Sequence, residues 1–168
     1  MEIGMTTLQD HRQVSAFSPA AGGGCFVNPN NTRHFGEHVM IDGYGGSSAR
    51  LDDRHLVLDC LNQLPRKLLM VPLSQPEIYF AAGGGPKDPG GWTGFVVVQE
   101  SHISIHTFPA NRFVSIDVYT CKNGLDVGAI SQYFTERFEL ATLETNCVRR
   151  GTRFHQLALA PFGRQAPQ

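Results

Sequence analysis

With 168 residues, 41% of them hydrophobic, and a formal charge of −1, the chain is sized for one domain with a single modest core. The near-zero charge excludes the electrostatic footprint of a nucleic-acid or anionic-membrane binder, and no apolar run approaches a membrane span. Residues 1–12 lack a signal-peptide core, so the chain reads as cytoplasmic, and its 4 cysteines, none in Cys-x-x-Cys spacing, read as free thiols rather than a zinc or redox pair.

Residues 1–35 are polar and broken by Gly22-Gly23-Gly24 and Asn28-Pro29-Asn30-Asn31, the pattern of a flexible extension. Residues 38–42 form a short strand closed by the glycine turn 43–46. Asp52 or Asp53 then caps a helix to about Gln63. Its stripe of Leu56, Val57, Cys60, Leu61 and Leu64 faces a core, and Pro65 is expected to stop it. Residues 76–80 are the next strand. The glycine-rich stretch 83–91 lacks a Gly-Lys-Ser/Thr, and its prolines remove two backbone donors, so it reads as a flexible loop rather than a phosphate cradle. Residues 95–99 are nearly all apolar, as a strand buried on both faces would be.

Two strands with strict alternation follow. In 102–108, Ile103 and Ile105 take one face and His102, Ser104 and His106 the other. In 113–121, Val114, Ile116 and Val118 oppose Ser115, Asp117, Tyr119 and Cys121. The short connection Pro109-Ala110-Asn111-Arg112 makes the pair a hairpin, one face of which gathers two histidines, several hydroxyls and a thiol. Asp126 caps a second helix to about Phe138, with Val127, Ile130, Phe134 and Phe138 on one face, and 140–149 is a last strand. The sum is an α+β, two-layer sandwich: an antiparallel sheet with two helices on one face.

The run Glu100-Ser101-His102-Ile103-Ser104-Ile105-His106-Thr107, the Pro after it and Thr120-Cys121 at its distance resemble the self-cleavage signature of prokaryotic S-adenosylmethionine decarboxylase proenzymes. The likeness extends over about residues 36–152, which makes 36–152 the decarboxylase domain and 153–168 a loose tail. It implies cleavage between Glu100 and Ser101, with Ser101 becoming a covalent pyruvoyl group, and a homodimer of cleaved protomers whose sheets face each other. By the same resemblance His106 is the base that removes the Ser101 α-proton during processing, and Thr93, where the family often has serine, assists. The substrate's α-amine then forms a Schiff base with the pyruvoyl carbonyl, an electron sink, and Cys121 returns the proton after CO2 leaves. Taken singly, a strand Ser or His is a surface residue and a Cys is core. The joint spacing is what assigns Ser101, His106 and Cys121. Neither histidine is explained as a metal ligand, because no third ligand is placed by spacing.

One departure bears on substrate. Where the family signature carries a glutamate that would hold the ribose of S-adenosylmethionine, this chain has Ala110. The resemblance implies decarboxylation of S-adenosylmethionine for polyamine biosynthesis. Ala110 leaves open the same chemistry on L-ornithine or L-arginine, for which Asp117 is a candidate partner of the distal cation. A third reading is an unprocessed homologue that serves as a binding or regulatory subunit.

Overall fold

Six antiparallel strands form one sheet in the order β2-β3-β4-β5-β1-β6: β1 is Gly36–Tyr44, β2 Glu77–Gly85, β3 Asp88–Val98, β4 Ser101–Phe108, β5 Phe113–Thr120 and β6 Thr142–Arg150. The structure, a computed structural model, describes residues 34–154. The extension expected over 1–35 and the tail expected over 153–168 lie outside the described residues, apart from 34–35 and 153–154. The alternation read in the central hairpin is realised: Ile103 pairs with Val118 and Ile105 with Ile116, while Ser104 pairs with Asp117 and His106 with Ser115. One register therefore sorts the aliphatic and polar side chains onto opposite faces.

The helices cover the aliphatic face. A single turn, α1 (Ser48–Leu51), leads into α2 (Arg54–Lys67), and α3 (Val127–Phe138) follows β5. Asp53 caps α2 by accepting from the backbone N–H groups of His55 and Leu56, and Asp126 caps α3 by accepting from that of Ala129. The stripe of α2 buries Val57, Cys60, Leu61 and Leu64, and that of α3 buries Ile130, Phe134 and Phe138. Against them lie Val39, Ile41, Val96, Ile103, Ile105, Val114, Ile116 and Val118. Each such aliphatic side chain contributes about 1.5–3 kcal/mol when fully buried. Among the described residues no helix is long and apolar enough to cross a membrane.

Four expectations are corrected. Pro65 does not stop α2, because it falls in the last turn and costs one donor only. Leu68 N–H still bonds the Leu64 carbonyl at 3.0 Å, and Met70 N–H bonds that of Pro65 at 2.8 Å. The stretch 83–91 is not a loop: Ala81 pairs with Gly91, Ala82 with Gly90 and Gly85 with Asp88, with a register shift between Ala82 and Gly85. β3 is not buried on both faces. Val96 and Val98 are core, but Phe95 and Val97 are each 38% exposed, because the helices cover one side of the sheet. Finally, Cys60 and Cys121 are free thiols but Cys147 is disulfide-bonded, a pairing that short-range cysteine spacing does not signal.

Candidate active site

The bond between Glu100 and Ser101 lies where β3 turns into β4. Val98 pairs with Ser101, so Gln99 and Glu100 are the whole turn. Two-residue hairpin turns follow strand twist best when a central residue has positive φ, which usually calls for Gly or Asn. Here neither Gln99 nor Glu100 has positive φ, and the distortion falls on Ser101, at φ 157°. That is a region L-residues rarely occupy, of the sort that stores local backbone strain.

Glu100 is clamped on both sides of this turn. Its side chain is 8% exposed. Lys122 Nζ pairs with Oε1 at 2.6 Å, and the Val71 N–H donates to Oε2 at 3.1 Å. Lys122 also donates to the Leu69 carbonyl at 2.8 Å, so one ammonium ties the 69–71 segment to the turn. The Lys122 hydrogen bond holds the Glu100 carboxyl below the usual carboxylate range; burial opposes it and the Val71 N–H assists it. The Glu100 carbonyl oxygen, meanwhile, accepts from the Cys121 N–H at 2.9 Å. A backbone donor on that oxygen is what a tetrahedral intermediate at Glu100 requires.

Cys121 comes to this place because β5 runs antiparallel to β4. Thr120 pairs with Ser101, and Cys121, free and exposed, is the next residue. Two features of β1 hold the segment there. Gly36 lies so close that a Cβ would stand 2.2 Å from the Thr120 carbonyl oxygen and 2.9 Å from Cys121 Cα. Glu37, fully buried, accepts from the N–H groups of Gly124 and Leu125, each at 3.0 Å, and meets His34 Nε2 at 3.2 Å. The turn after Cys121 is thus anchored to a strand more than eighty residues earlier.

On the open face His102 Nδ1 stands 3.1 Å from Ser101 Oγ. Its ring meets Tyr119 edge-on at 5.7 Å between centroids and His38 at 6.4 Å. Burial, and then the neighbouring His38, push the His102 imidazole below its ordinary value. Asp117 accepts from, or pairs with, His38 Nε2 at 2.9 Å, and Ser104 Oγ donates to its other oxygen at 3.4 Å. Asp117 is thus engaged across the strands.

His106 is elsewhere. It sits five residues along β4 from Ser101, roughly 16 Å at strand rise. Its Nδ1 is 3.3 Å from Thr93 Oγ1 on the paired strand β3. The two line a cavity of about 400 Å3 together with Lys87, Asp88, Gly91 and Phe108. The polar side chains share one face, as alternation predicts, but they form two groups on it: Glu100, Ser101, His102 and Cys121 meet at one end of the hairpin, and His106 and Thr93 at the other. Alternation assigns a face but not a position along it. Ala110 lies just beyond, in a single 3-10 turn (Pro109–Asn111), exposed.

Sequence reasoning passed over Lys122, Val71, Gly36, Glu37 and His38. Only Lys122, adjacent to Cys121, carried a local signal. The others act through contacts between segments far apart in the chain.

A sequence profile of the family described as S-adenosylmethionine decarboxylase matches residues 37–151. A Clostridium botulinum protein named S-adenosylmethionine decarboxylase proenzyme is 28% identical over 119 residues, covering 71% of this chain and 97% of its own. An Acetivibrio thermocellus protein of the same name is 30% identical over 116 residues, covering 69% and 88%. The crystal structure of the adenosylmethionine decarboxylase from Aquifex aeolicus superposes with a TM-score of 0.58 at 22% identity, over 79% of this chain and 98% of that one, a likeness of fold.

Proposed function

Because the chain belongs to the S-adenosylmethionine decarboxylase family, we propose that it is a self-cleaving, pyruvoyl-dependent α-decarboxylase of polyamine biosynthesis. It converts S-adenosylmethionine to its decarboxylated form and CO2 in the cytoplasm. The observation that carries the reading is the Glu100–Ser101 turn, with Ser101 at φ 157° and the Glu100 carbonyl already held by the Cys121 N–H. Strain raises the uncut peptide toward the ester that Ser101 Oγ forms with Glu100, and the fixed donor stabilises the oxyanion on the way. A free, exposed thiol next to the residue paired with Ser101 suits proton return. The pyruvoyl carbonyl, once formed at residue 101, supplies the electron sink for loss of CO2.

The working unit is a homodimer. His106, backed by Thr93, is the base for the Ser101 α-proton, yet roughly 16 Å of strand separates it from Ser101 in its own chain. A second copy stacked with its strands reversed on the open sheet face brings its own His106 to this chain's Ser101. The same stacking would cover Phe95 and Val97, which the helices leave exposed.

Intact mass of the denatured protein, followed by CO2 release from carboxyl-labelled S-adenosylmethionine, L-ornithine and L-arginine, tests the assignment. Two fragments meeting at Glu100/Ser101 and release from S-adenosylmethionine are expected. An uncut chain defeats self-cleavage. Release from ornithine or arginine alone keeps the chemistry and moves the substrate to a basic amino acid, as Ala110 allows.

A further inference from the structure

We propose that His102 is the general base that activates the Ser101 hydroxyl for attack on the Glu100 carbonyl. The inference rests on the self-cleavage reading above and names a residue for its first step. His106 of the same chain stands far along the strand from the hydroxyl, and the second copy's His106 is assigned to the later removal of the Ser101 α-proton. The imidazole in contact with the hydroxyl is that of His102, whose Nδ1 is 3.1 Å from Ser101 Oγ. With the ring proton on Nε2, Nδ1 accepts from the hydroxyl, in the relation a general base needs. On the opposite side of the same turn the Cys121 N–H holds the carbonyl oxygen that must take up charge.

The step balances on the chain's own atoms. Ser101 Oγ bonds to the Glu100 carbonyl carbon as its proton passes to His102 Nδ1. The Cys121 N–H donates to the resulting oxyanion. The Glu100 C–N bond then breaks, and His102 returns the proton to the Ser101 nitrogen. Glu100 is left as an ester on Ser101 Oγ, with no oxidant, reductant or co-reactant consumed. His106 has no part until the ester exists.

The surroundings of His102 keep it in the proton-accepting form. It is bordered by His38 from β1, Tyr119 and Asp117 from β5 and Arg150 from β6, whose guanidinium lies 4.4 Å over the Tyr119 ring; its register partner on β3, Val97, is uncharged. Asp117 favours the protonated ring, but burial, His38 and Arg150 outweigh it, so the imidazole sits below its ordinary value.

The test is His102→Asn, whose Oδ1 can take the place of Nδ1 as an acceptor but cannot carry a proton away. Cleavage of the purified chain is followed by denaturing gel and mass. The substitution is expected to slow it about 100-fold, the lower bound for a lost general base. The step itself is isolated in a His106→Ala background, where the ester cannot be eliminated and hydroxylamine cuts the chain at Ser101. Adding His102→Asn is expected to slow that cut equally. The wild-type cleavage rate is expected to rise with pH through an inflection below the ordinary imidazole value, and the variant to lack it. Wild-type rates in His102→Asn, or undiminished hydroxylamine cutting in the double variant, overturn the proposal while leaving self-cleavage intact. An uncut wild-type chain overturns both.

Discussion

The backbone N–H of Cys121 donates to the carbonyl oxygen of Glu100 at 2.9 Å. In the proposed reaction one residue therefore presents two functions to the turn: a main-chain donor at the carbonyl before cleavage and a thiol beside the new carbonyl after it. The two separate by mutation. Cys121→Ala keeps the N–H, so cleavage is expected to proceed within a few-fold of normal, while turnover falls at least about 100-fold with the lost proton donor. Fragment mass and CO2 release, measured on the same preparation, check it. Normal turnover would remove Cys121 as the proton source.

Gly36 is required by contact rather than by conformation. A methyl group there would stand 2.2 Å from the Thr120 carbonyl oxygen, so Gly36→Ala must push β1 from β5 and shift Cys121 with it. Overpacking of this kind costs about 1–3 kcal/mol. A lowered melting temperature and at least ten-fold slower cleavage, roughly what a misplaced donor costs, are expected together. Cleavage at the wild-type rate in the folded variant would show that β1 does not set the position of Cys121.

The Glu100 carboxylate links pH to stability. Its folded value is depressed, chiefly by Lys122. The stabilisation is thus present above the unfolded carboxylate value of about 4.3 and is lost as pH falls through the lower folded value. Lys122→Ala removes the cation but leaves the buried acceptor, and since the lysine side chain is 50% exposed, water replaces part of the loss. A cost near 1 kcal/mol is expected at neutral pH, shrinking toward zero in acid as Glu100 protonates. Thermal melts of both proteins between pH 3 and 7 measure the difference. A constant gap over that range would contradict the assignment.

A site shared between copies predicts complementation. Ser101→Ala chains cannot be cut, and His106→Ala chains lack the elimination base. Coexpressed, the His106→Ala chain is expected to be cleaved, using His106 of the Ser101→Ala copy. Failure to cut in a verified mixed dimer would put the base within one chain and require His106 to move along its own strand.

Ala110→Glu restores a carboxylate beyond the His106 end of the hairpin. A carboxylate on a ribose diol makes charge-assisted bonds of about 1.5–3 kcal/mol, so KM for S-adenosylmethionine is expected to fall about ten-fold or more, with little change for ornithine. An unchanged KM would mean that the ribose is held elsewhere.

Much of this architecture was legible in the chain because it is local. Alternation in 102–108 and 113–121 follows from backbone pleat, and it assigned Ile103, Ile105, Ile116 and Val118 to the core before any partner was known. Helix stripes and the Asp53 and Asp126 caps are equally short-range. A hairpin of fixed length also ties Ser101 to Thr120 and so to Cys121. What the tertiary structure alone decided is everything that depends on distance between segments. Alternation could not tell which group each histidine of the polar face meets: His102 the hydroxyl of Ser101, and His106 that of Thr93 on the neighbouring strand. Nothing near residue 38 announces Asp117, and nothing near residue 37 announces Gly124. The glycines of 83–91 have no side chains to reveal a face, so only their partners across the ladder make them strands. Whether an apolar strand is buried on one side or two depends on how many layers cover the sheet, and the backbone period carries no record of that.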